Sequence, residues 1–346
     1  MNIDGDGSAQ NAATAFLEAL TIPAILLDAS RKIVVRNKMA RGELNIELVG
    51  SDLSRSFRNP ALFDAVDQVL RSNGTVKCEL QHGTAPARTY EVSVSNVELN
   101  PESYALLVFF DLTTERQVEN VRSTFVSNVS HELRSPLTTE MGACEALGGA
   151  AGDNPVDRLR MLTLMNQESL RMKNLIDDLL SLSRVEANEY VNPSQPVNVT
   201  PLLDRARDRM TDGAAQRDMT IIMDVADNIR NVLGVDDELL QVFDNLIGNA
   251  VKYGGQGSTI NIRAGETDQG LCVSFHNWGP PISSEHLPRL TERFYRVEKS
   301  RSRGLGGTGL GLAIVKHIVN RHRGTLSIES SEETGTTFSV TLPFSA

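Results

Sequence analysis

The sequence predicts a multidomain chain with a small α+β domain, a two-helix hairpin and an α/β domain, in that order. Three observations lead to this prediction. The length of 346 residues suits two or three domains, at roughly 150 residues per domain. The spacing of the apolar residues changes from strand-like to helical near residue 112. Beyond a short segment around Pro193 and Pro196, helical and strand-like runs alternate to the C-terminus.

The α+β domain is predicted over residues 12–112, after a polar segment at 1–11 that we expect to be disordered. Two apolar runs, 22–28 and 32–37, flank a short turn-like segment and indicate a β-hairpin. A helical run and three further strand-like runs follow, which are typical of a three-stranded meander.

The hairpin is predicted over residues 113–190. Val118, Val121, Phe125 and Val129 follow steps of three and four residues, as expected for a helix that packs on a partner helix. Glycine and proline residues then interrupt the pattern, and a second helical run follows. A lone hairpin leaves one apolar stripe unpaired, so we expect a homodimer in which two hairpins form a four-helix bundle.

A linker is predicted at 191–198 and an α/β sandwich at 199–346. Neither part shows internal repeats or low-complexity sequence. The strand-like runs are 220–225, 259–264, 271–275, 325–328 and 337–342, and the helical runs are 205–217, 237–251 and 312–321.

Charge and composition exclude several classes of protein. The chain has 34 Lys and Arg against 44 Asp and Glu, and this net charge of −10 argues against a general nucleic-acid binder. The three cysteines lie far apart, which indicates a reducing compartment. No run approaches the ~20 apolar residues of a membrane span. We expect a cytoplasmic protein, either naturally soluble or the soluble part of a membrane-anchored one.

The segment around His131 carries the first candidate chemistry. On a helix, Val129 and Leu133 would face inward and leave His131 and Glu132 toward solvent. A neutral imidazole can act as a nucleophile, and an adjacent carboxylate can accept the proton from its other nitrogen. The alternative is a surface histidine on a structural helix. Pro136 lies within the same run and predicts a kink.

Two asparagines indicate a site for a metal and phosphate. Asn245 and Asn249 are four residues apart, so their amides share one face of a predicted helix. Amide oxygens suit a Mg²⁺ ion that keeps water and phosphate ligands, and Lys252 adds a cation close by. The alternative is an ordinary polar helix face or cap.

A glycine-rich segment at 304–311 runs directly into a predicted helix. Without side chains, backbone amides can approach a phosphate closely, and the N-terminus of the following helix favours an anion. A plain flexible turn is the alternative. Arg296 and Arg301 could add positive charge beside this segment.

Taken together, these segments resemble the sequence boxes of sensor histidine kinases of two-component systems. The resemblance covers nearly the whole chain and is most specific from Phe125 to Leu342. The matching segments, in order, are Phe125–Leu137, Asn174–Arg184, Asn245–Tyr253, Glu292–Arg296 and Gly307–Leu312.

The resemblance implies that His131 is phosphorylated from Mg-ATP, with Glu132 as base, and passes the phosphoryl group to an aspartate of a response regulator receiver domain. It further implies that Asn249 ligates Mg²⁺, that Lys252 faces phosphate and that Tyr253 lies near the adenine. The full set expected to bind the nucleotide is Asn245, Asn249, Lys252, Tyr253, Asn277, Gly279, Ile282, Arg296, Gly307, Thr308, Gly309, Leu310 and Gly311.

Three positions depart from the family pattern. Asn277 stands where the family usually has an aspartate that accepts the adenine amino group, and Pro281 replaces a glycine. Asn277 keeps a carbonyl acceptor, so adenine recognition stays chemically possible. Ser135 stands where the family usually has Thr or Asn, and its hydroxyl indicates a phosphatase activity as well.

Two alternatives to a histidine kinase are considered. The first alternative is a catalytically weak dimeric scaffold or phosphatase that regulates a response regulator without ATP-driven phosphorylation. Another ATPase of the same superfamily is the second, but such enzymes lack the His131 segment.

The N-terminal domain resembles a PAS sensor domain, and the whole order resembles the phosphate-regulon type of sensor kinase. Cys78 and His82 lack the surroundings of a flavin-reactive cysteine or a haem ligand, so we expect structural roles for both.

Overall fold

The computed structural model describes residues 13–46, 48–72, 74–83, 86–99, 102–189, 191–297 and 307–344. The predicted disordered segment at 1–11 lies outside these residues. The chain divides into two compact units, Met1–Thr124 and Phe125–Ala346.

The N-terminal unit contains one antiparallel sheet of five strands, in the order β2-β1-β5-β4-β3. Residue Ala24 lies opposite Val108, and Glu91 lies opposite Phe110. The predicted hairpin and three-stranded meander are therefore confirmed. The strands are β1 (Ala24–Leu27), β2 (Ile33–Arg36), β3 (Thr75–His82), β4 (Arg88–Leu99) and β5 (Glu102–Asp111).

Two helices, α1 (Lys38–Glu43) and α2 (Pro60–Arg71), connect β2 to β3 together with a short 3₁₀ turn. The side chain of Asn59 caps α2 by accepting a hydrogen bond from Leu62 N at 3.2 Å, and Pro60 suits the first helical position. The apolar face of α2 packs into the core of this unit. That core includes Leu62, Val66, Val69, Tyr90 and Phe109.

Helices α3 (Thr113–Leu147), α4 (Ala150–Asp153) and α5 (Pro155–Ala187) follow, and the predicted helical hairpin is confirmed. Helix α3 continues through Pro136. Asn154 caps α5 by accepting a hydrogen bond from Val156 N at 2.9 Å. Large apolar side chains remain exposed along the hairpin of this single chain. They are Val118, Val121, Val126, Leu137, Met141, Val156, Leu159, Leu162, Leu170, Ile176 and Leu180.

The C-terminal part is a two-layer α/β sandwich, as predicted. Its sheet has the order β11-β12-β10-β9-β7, and only β7 and β9 pair in parallel. The strands are β6 (Gln195–Val197), β7 (Thr220–Val225), β8 (Val232–Gly234), β9 (Thr259–Thr267), β10 (Gly270–Asn277), β11 (Thr325–Ser331) and β12 (Gly335–Leu342). The helices are α6 (Thr200–Ala215), α7 (Asp236–Tyr253) and α8 (Gly311–Arg321).

Alternate residues of β10 and β12 are buried, so one face of the sheet packs against the three helices. Phe275 of β10 lies opposite Ile262 and Phe338 on the neighbouring strands. The predicted linker at 191–198 contains β6, which pairs with β8. This pairing was not predicted because both strands have only three residues, too few to show an alternation of apolar and polar side chains. Strand β6 also contains Pro196.

Candidate phosphoacceptor and nucleotide site

His131 lies on α3 and is exposed, as predicted, while Val129 and Leu133 are half-buried. Glu132 faces solvent only in part, because its side chain is half-buried. Glu132 Oε2 accepts a hydrogen bond from Arg171 Nη2 at 3.1 Å, which joins α3 to α5. The carboxylate beside His131 is therefore held in place by a cation from the second helix.

A depression of about 420 Å³ lies beside His131 and is lined by Arg134, Ser135, Thr138 and Thr139. The hydroxyl groups of Thr138 and Thr139 donate to the carbonyls of Arg134 and Ser135, at 2.9 and 3.2 Å. Ser135 lies one helical turn from His131 and is exposed. The depression thus offers a cation and a hydroxyl next to the imidazole.

The end of α7 carries Asn245, Asn249, Lys252 and Tyr253. Asn245 Nδ2 donates to the carbonyl of Gln241 at 2.9 Å, and Asn249 is half-buried one turn further on. The Lys252 ammonium lies 4.9 Å from the centre of the Tyr253 ring. Among the described residues, no cluster of three or more His, Cys, Asp or Glu could hold a metal ion.

Burial lowers the pKa of Lys252 from 10.5 to about 8, and the positive charges of Arg296 and Arg171 contribute. Three cations thus act on the same small region, although the whole chain is acidic. Such a cluster is typical of a site that neutralises phosphate.

Residues 307–311 of the glycine-rich segment lie directly on α7. A Cβ atom on Gly311 would be 2.5 Å from Asn245 Oδ1, and one on Gly307 would overlap the ammonium of Lys252. A side chain at either position would require Lys252 or Asn245 to move, so glycine suits both positions. The predicted asparagine, lysine and glycine residues therefore converge at one place.

Thr308 connects this segment to the hairpin. Its hydroxyl donates to Asp178 Oδ2 at 2.8 Å and accepts from Leu310 N at 3.2 Å. Burial raises the pKa of the Asp178 carboxyl, while the Thr308 hydrogen bond opposes that rise. Leu310 is fully buried in the core, so its side chain supports the segment rather than facing the site. Gly309 O accepts a hydrogen bond from Phe294 N at 2.9 Å.

The predicted residues Asn277 and Gly279 lie near the C-terminal end of α7, beside Gly254 and Tyr253. Asn277 ends β10 and is only 4% exposed, and Gly279 lies against the carbonyl of Tyr253. Ile282 N donates to Ser330 Oγ at 2.9 Å. Arg301 and residues 304–306 lie outside the described residues.

Sequence reasoning missed Arg171 and Asp178. Both lie on the second helix of the hairpin. Arg171 contacts Glu132, 39 positions away, and Asp178 contacts Thr308, 130 positions away. Asp178 lies within Asn174–Arg184, a segment that resembles the family, and this resemblance could have indicated its importance. No sequence signal marked Arg171, because its contact with Glu132 depends on the relative register of the two helices.

Two family profiles match the chain from residue 121 onward. Residues 121–188 match the family described as the His Kinase A (phospho-acceptor) domain. Residues 234–346 match the family described as Histidine kinase-, DNA gyrase B-, and HSP90-like ATPase.

Curated relatives agree with these profiles. The phosphate regulon sensor protein PhoR of Pseudomonas aeruginosa is 44% identical over 233 residues, which is 67% of this chain and 52% of the relative. Sensor histidine kinase WalK of Bacillus subtilis is 36% identical over 241 residues, 69% of this chain and 39% of the relative. The chain thus spans about half the length of the curated relatives it matches.

Among solved structures, the crystal structure of histidine kinase ThkA in complex with response regulator protein TrrA has a similar fold. The TM-score is 0.53 at 19% identity, covering 96% of this chain and 98% of that one. No helix among the residues that the structure describes combines the length and the apolar character of a membrane span. From both profiles and the relatives, the chain belongs to the sensor histidine kinases of two-component systems.

Proposed function

We propose that this chain autophosphorylates on His131 from Mg-ATP and then transfers the phosphoryl group to an aspartate of a response regulator. The observation that carries the proposal is the presence, in one unit, of an exposed histidine on the phosphoacceptor helix and a cationic, glycine-lined site on the ATPase fold. Neither the exposed histidine nor the cationic, glycine-lined site would by itself indicate this function.

In this proposal the nucleotide lies between α7 and the glycine-rich segment. Lys252 and Arg296 neutralise the phosphates, and the backbone of Gly307 and Gly309 approaches them closely. Asn277 offers its amide oxygen to the adenine amino group in place of a carboxylate. Because Asn277 is buried, this contact would be shielded from water.

The residues also suit a magnesium ion. Asn249 offers a neutral amide oxygen, which fits a Mg²⁺ that retains water and phosphate ligands. When bound, the ion would supply positive charge that offsets the charge of the phosphates. Asn245 lies one helical turn before Asn249 and would add a polar contact beside the ion.

The transfer needs one nucleophile and one proton acceptor. An imidazole nitrogen of His131 attacks the γ-phosphorus, the bond from phosphorus to the β–γ bridging oxygen breaks, and ADP leaves. Glu132 takes the proton from the other ring nitrogen. A receiver aspartate then attacks the phosphorus and the phosphorus–nitrogen bond breaks. The ThkA structure, solved with a response regulator protein, supports a partner of this class.

Ser135 supports a second activity on the same partner. Its hydroxyl lies in the depression beside His131, where it could orient a water molecule toward an acyl phosphate. If Ser135→Ala leaves the rate of regulator dephosphorylation unchanged, this part of the proposal is wrong.

The N-terminal unit would act as a PAS-like sensor. Its sheet order of β2-β1-β5-β4-β3, with helices between β2 and β3, supports this proposal. Helix α3 begins at Thr113, two residues after β5 ends, so a change in the sheet could reach the helix without a flexible linker. Deleting residues 1–111 should change the autophosphorylation or phosphatase rate, and unchanged rates would exclude this role.

One observation favours the scaffold alternative. Asn277 removes a negative charge that the family usually presents to adenine, and Pro281 stiffens the adjoining loop. A scaffold would keep the dimer and bind a regulator but would not label with phosphate.

Incubation with γ-labelled ATP separates these functions. Wild type should incorporate acid-labile, base-stable label, whereas His131→Ala and Asn249→Ala should not. Asn320→Ala is the matched control, because Asn320 is an exposed asparagine on α8 away from the proposed contacts. An unlabelled wild type that still binds a regulator would favour the scaffold.

A further inference from the structure

Arg171 occupies a position that the proposed reaction leaves unexplained. Its Nη2 atom donates to Glu132 Oε2 at 3.1 Å, and its Nη1 atom is 3.7 Å from Glu168 Oε2. The three side chains are only 24%, 32% and 19% exposed, respectively. Arg171 therefore contacts two carboxylates in a partly buried setting, one on its own helix and one on α3.

The pairing matters for geometry more than for stability. Partly exposed ion pairs contribute little to folding, but a planar guanidinium fixes the orientation of a carboxylate better than an ammonium does. Glu168 in turn limits the positions that Arg171 can take. The carboxylate of Glu132, the residue that follows His131, is thereby restrained.

Arg171 also acts toward the nucleotide site. Its positive charge is one cause of the lowered pKa of Lys252, together with burial and Arg296. Its charge is the smallest of these three causes, so the direct contact with Glu132 is the stronger effect of Arg171.

We propose that Arg171 is a positioning residue for the phosphorylation of His131, which holds the Glu132 carboxylate in place to accept the imidazole proton. This inference rests on the proposed kinase function, since it needs Glu132 as the proton acceptor. It assigns to the second helix of the hairpin a part in the chemistry, beyond its part in packing.

A double-mutant cycle on the full chain tests the proposal. Arg171→Gln should lower the autophosphorylation rate constant at saturating Mg-ATP on the order of ten- to a hundredfold, with little change in the ATP concentration that gives half the maximal rate. Glu132→Gln should lower the rate constant at least as much. The double variant should be no slower than Glu132→Gln alone, because Arg171 acts through Glu132.

Two further variants separate positioning from folding. Arg171→Lys keeps the charge but loses the planar fork, so it should restore part of the rate. Lys173→Gln is the matched control, because Lys173 lies on the same helix, is exposed and pairs with Asp177 at 2.8 Å. It should leave the rate unchanged. Circular dichroism and dimer mass should be the same for all variants.

Three results would overturn the role of Arg171. They are a rate for Arg171→Gln within twofold of wild type, losses that multiply in the double variant, or a loss confined to the ATP requirement. If Arg171→Gln does not fold, a fully active Arg171→Lys would also contradict the need for a planar fork. An unlabelled wild type would count against the kinase function itself, so the two failures are distinguishable.

Discussion

At the scale of single residues, the surroundings of Lys252 lower the pKa of its ammonium group. Burial and two neighbouring arginines lower its pKa to about 8, so the ammonium is charged at pH 7 and loses its proton as the pH rises toward 9. A bound phosphate would favour the charged form and oppose this loss.

Nucleotide affinity should therefore fall above about pH 8, by roughly tenfold for the loss of one charged contact. Lys252→Arg should bind with much less dependence on pH, because a guanidinium stays protonated throughout. Calorimetric titration with nucleotide from pH 6.5 to 9.5 measures both. A wild-type affinity that is constant across this range would contradict the assigned role of Lys252.

Asn37 illustrates a structural residue of the N-terminal unit. Its fully buried side chain accepts from Ala24 N and Ala40 N, at 3.1 and 2.9 Å, and donates to Ile22 O at 2.8 Å. Asn37→Ala should lower the opening free energy of β1 and α1 by about 2–3 kcal/mol, because it leaves buried backbone groups unpaired. Amide hydrogen exchange over residues 24–40 measures this, with Asn320→Ala as the exposed control. Unchanged exchange rates would contradict the prediction.

At the scale of helices and loops, a side-chain hydrogen bond joins Thr308 of the glycine-rich segment to the hairpin. Asp178 accepts the Thr308 hydroxyl at 2.8 Å and places a carboxylate where phosphate is expected nearby. Arg293 adds a second tie, because its guanidinium lies 2.5 Å from Glu186 Oε1 and over the ring of Phe125. Phosphate and the Asp178 carboxylate should therefore compete for the same segment.

Asp178→Asn should strengthen nucleotide binding by about three- to tenfold, because an amide still accepts the Thr308 hydroxyl but no longer repels phosphate. The neighbouring Asp177 provides a matched control, since it is exposed and paired with Lys173. Asp177→Asn should change affinity by less than Asp178→Asn. Equal effects of the two substitutions would show that only long-range charge matters.

Most regular elements could be predicted from the sequence, and the contacts between them could not. Apolar spacing predicted the hairpin of β1 and β2, the meander and both long helices. It did not predict the pairing of β6 with β8, because three residues are too few for a period to appear. Among candidate site residues, local motifs brought His131, Asn245 and the glycine segment to attention. The pairs Arg171–Glu132 and Asp178–Thr308 depend on tertiary register, which no local pattern encodes.

At the scale of the whole molecule, the exposed apolar stripe of the hairpin is the feature that we expect a second copy to cover. Met141 and Leu162 are 59% and 50% exposed in the single chain. Burying such residues between two hairpins would remove them from water, as in other four-helix bundles.

Met141→Glu combined with Leu162→Glu should weaken dimerisation on the order of a hundredfold or more, because each carboxylate would be buried without a partner. Sedimentation equilibrium over a dilution series measures this change. Arg160→Glu, at an exposed polar position of α5, is the control and should remain dimeric. A double variant that dimerises as tightly as wild type would place the interface elsewhere.

The central claim is that His131 receives a phosphoryl group from ATP, and locating that group on the chain tests it most directly. After incubation of the wild-type protein with Mg-ATP, peptide mapping by mass spectrometry at neutral to mildly basic pH should find one phosphoryl group, on His131. A phosphoryl group on another residue, or none on a protein that demonstrably binds the nucleotide, would contradict this account.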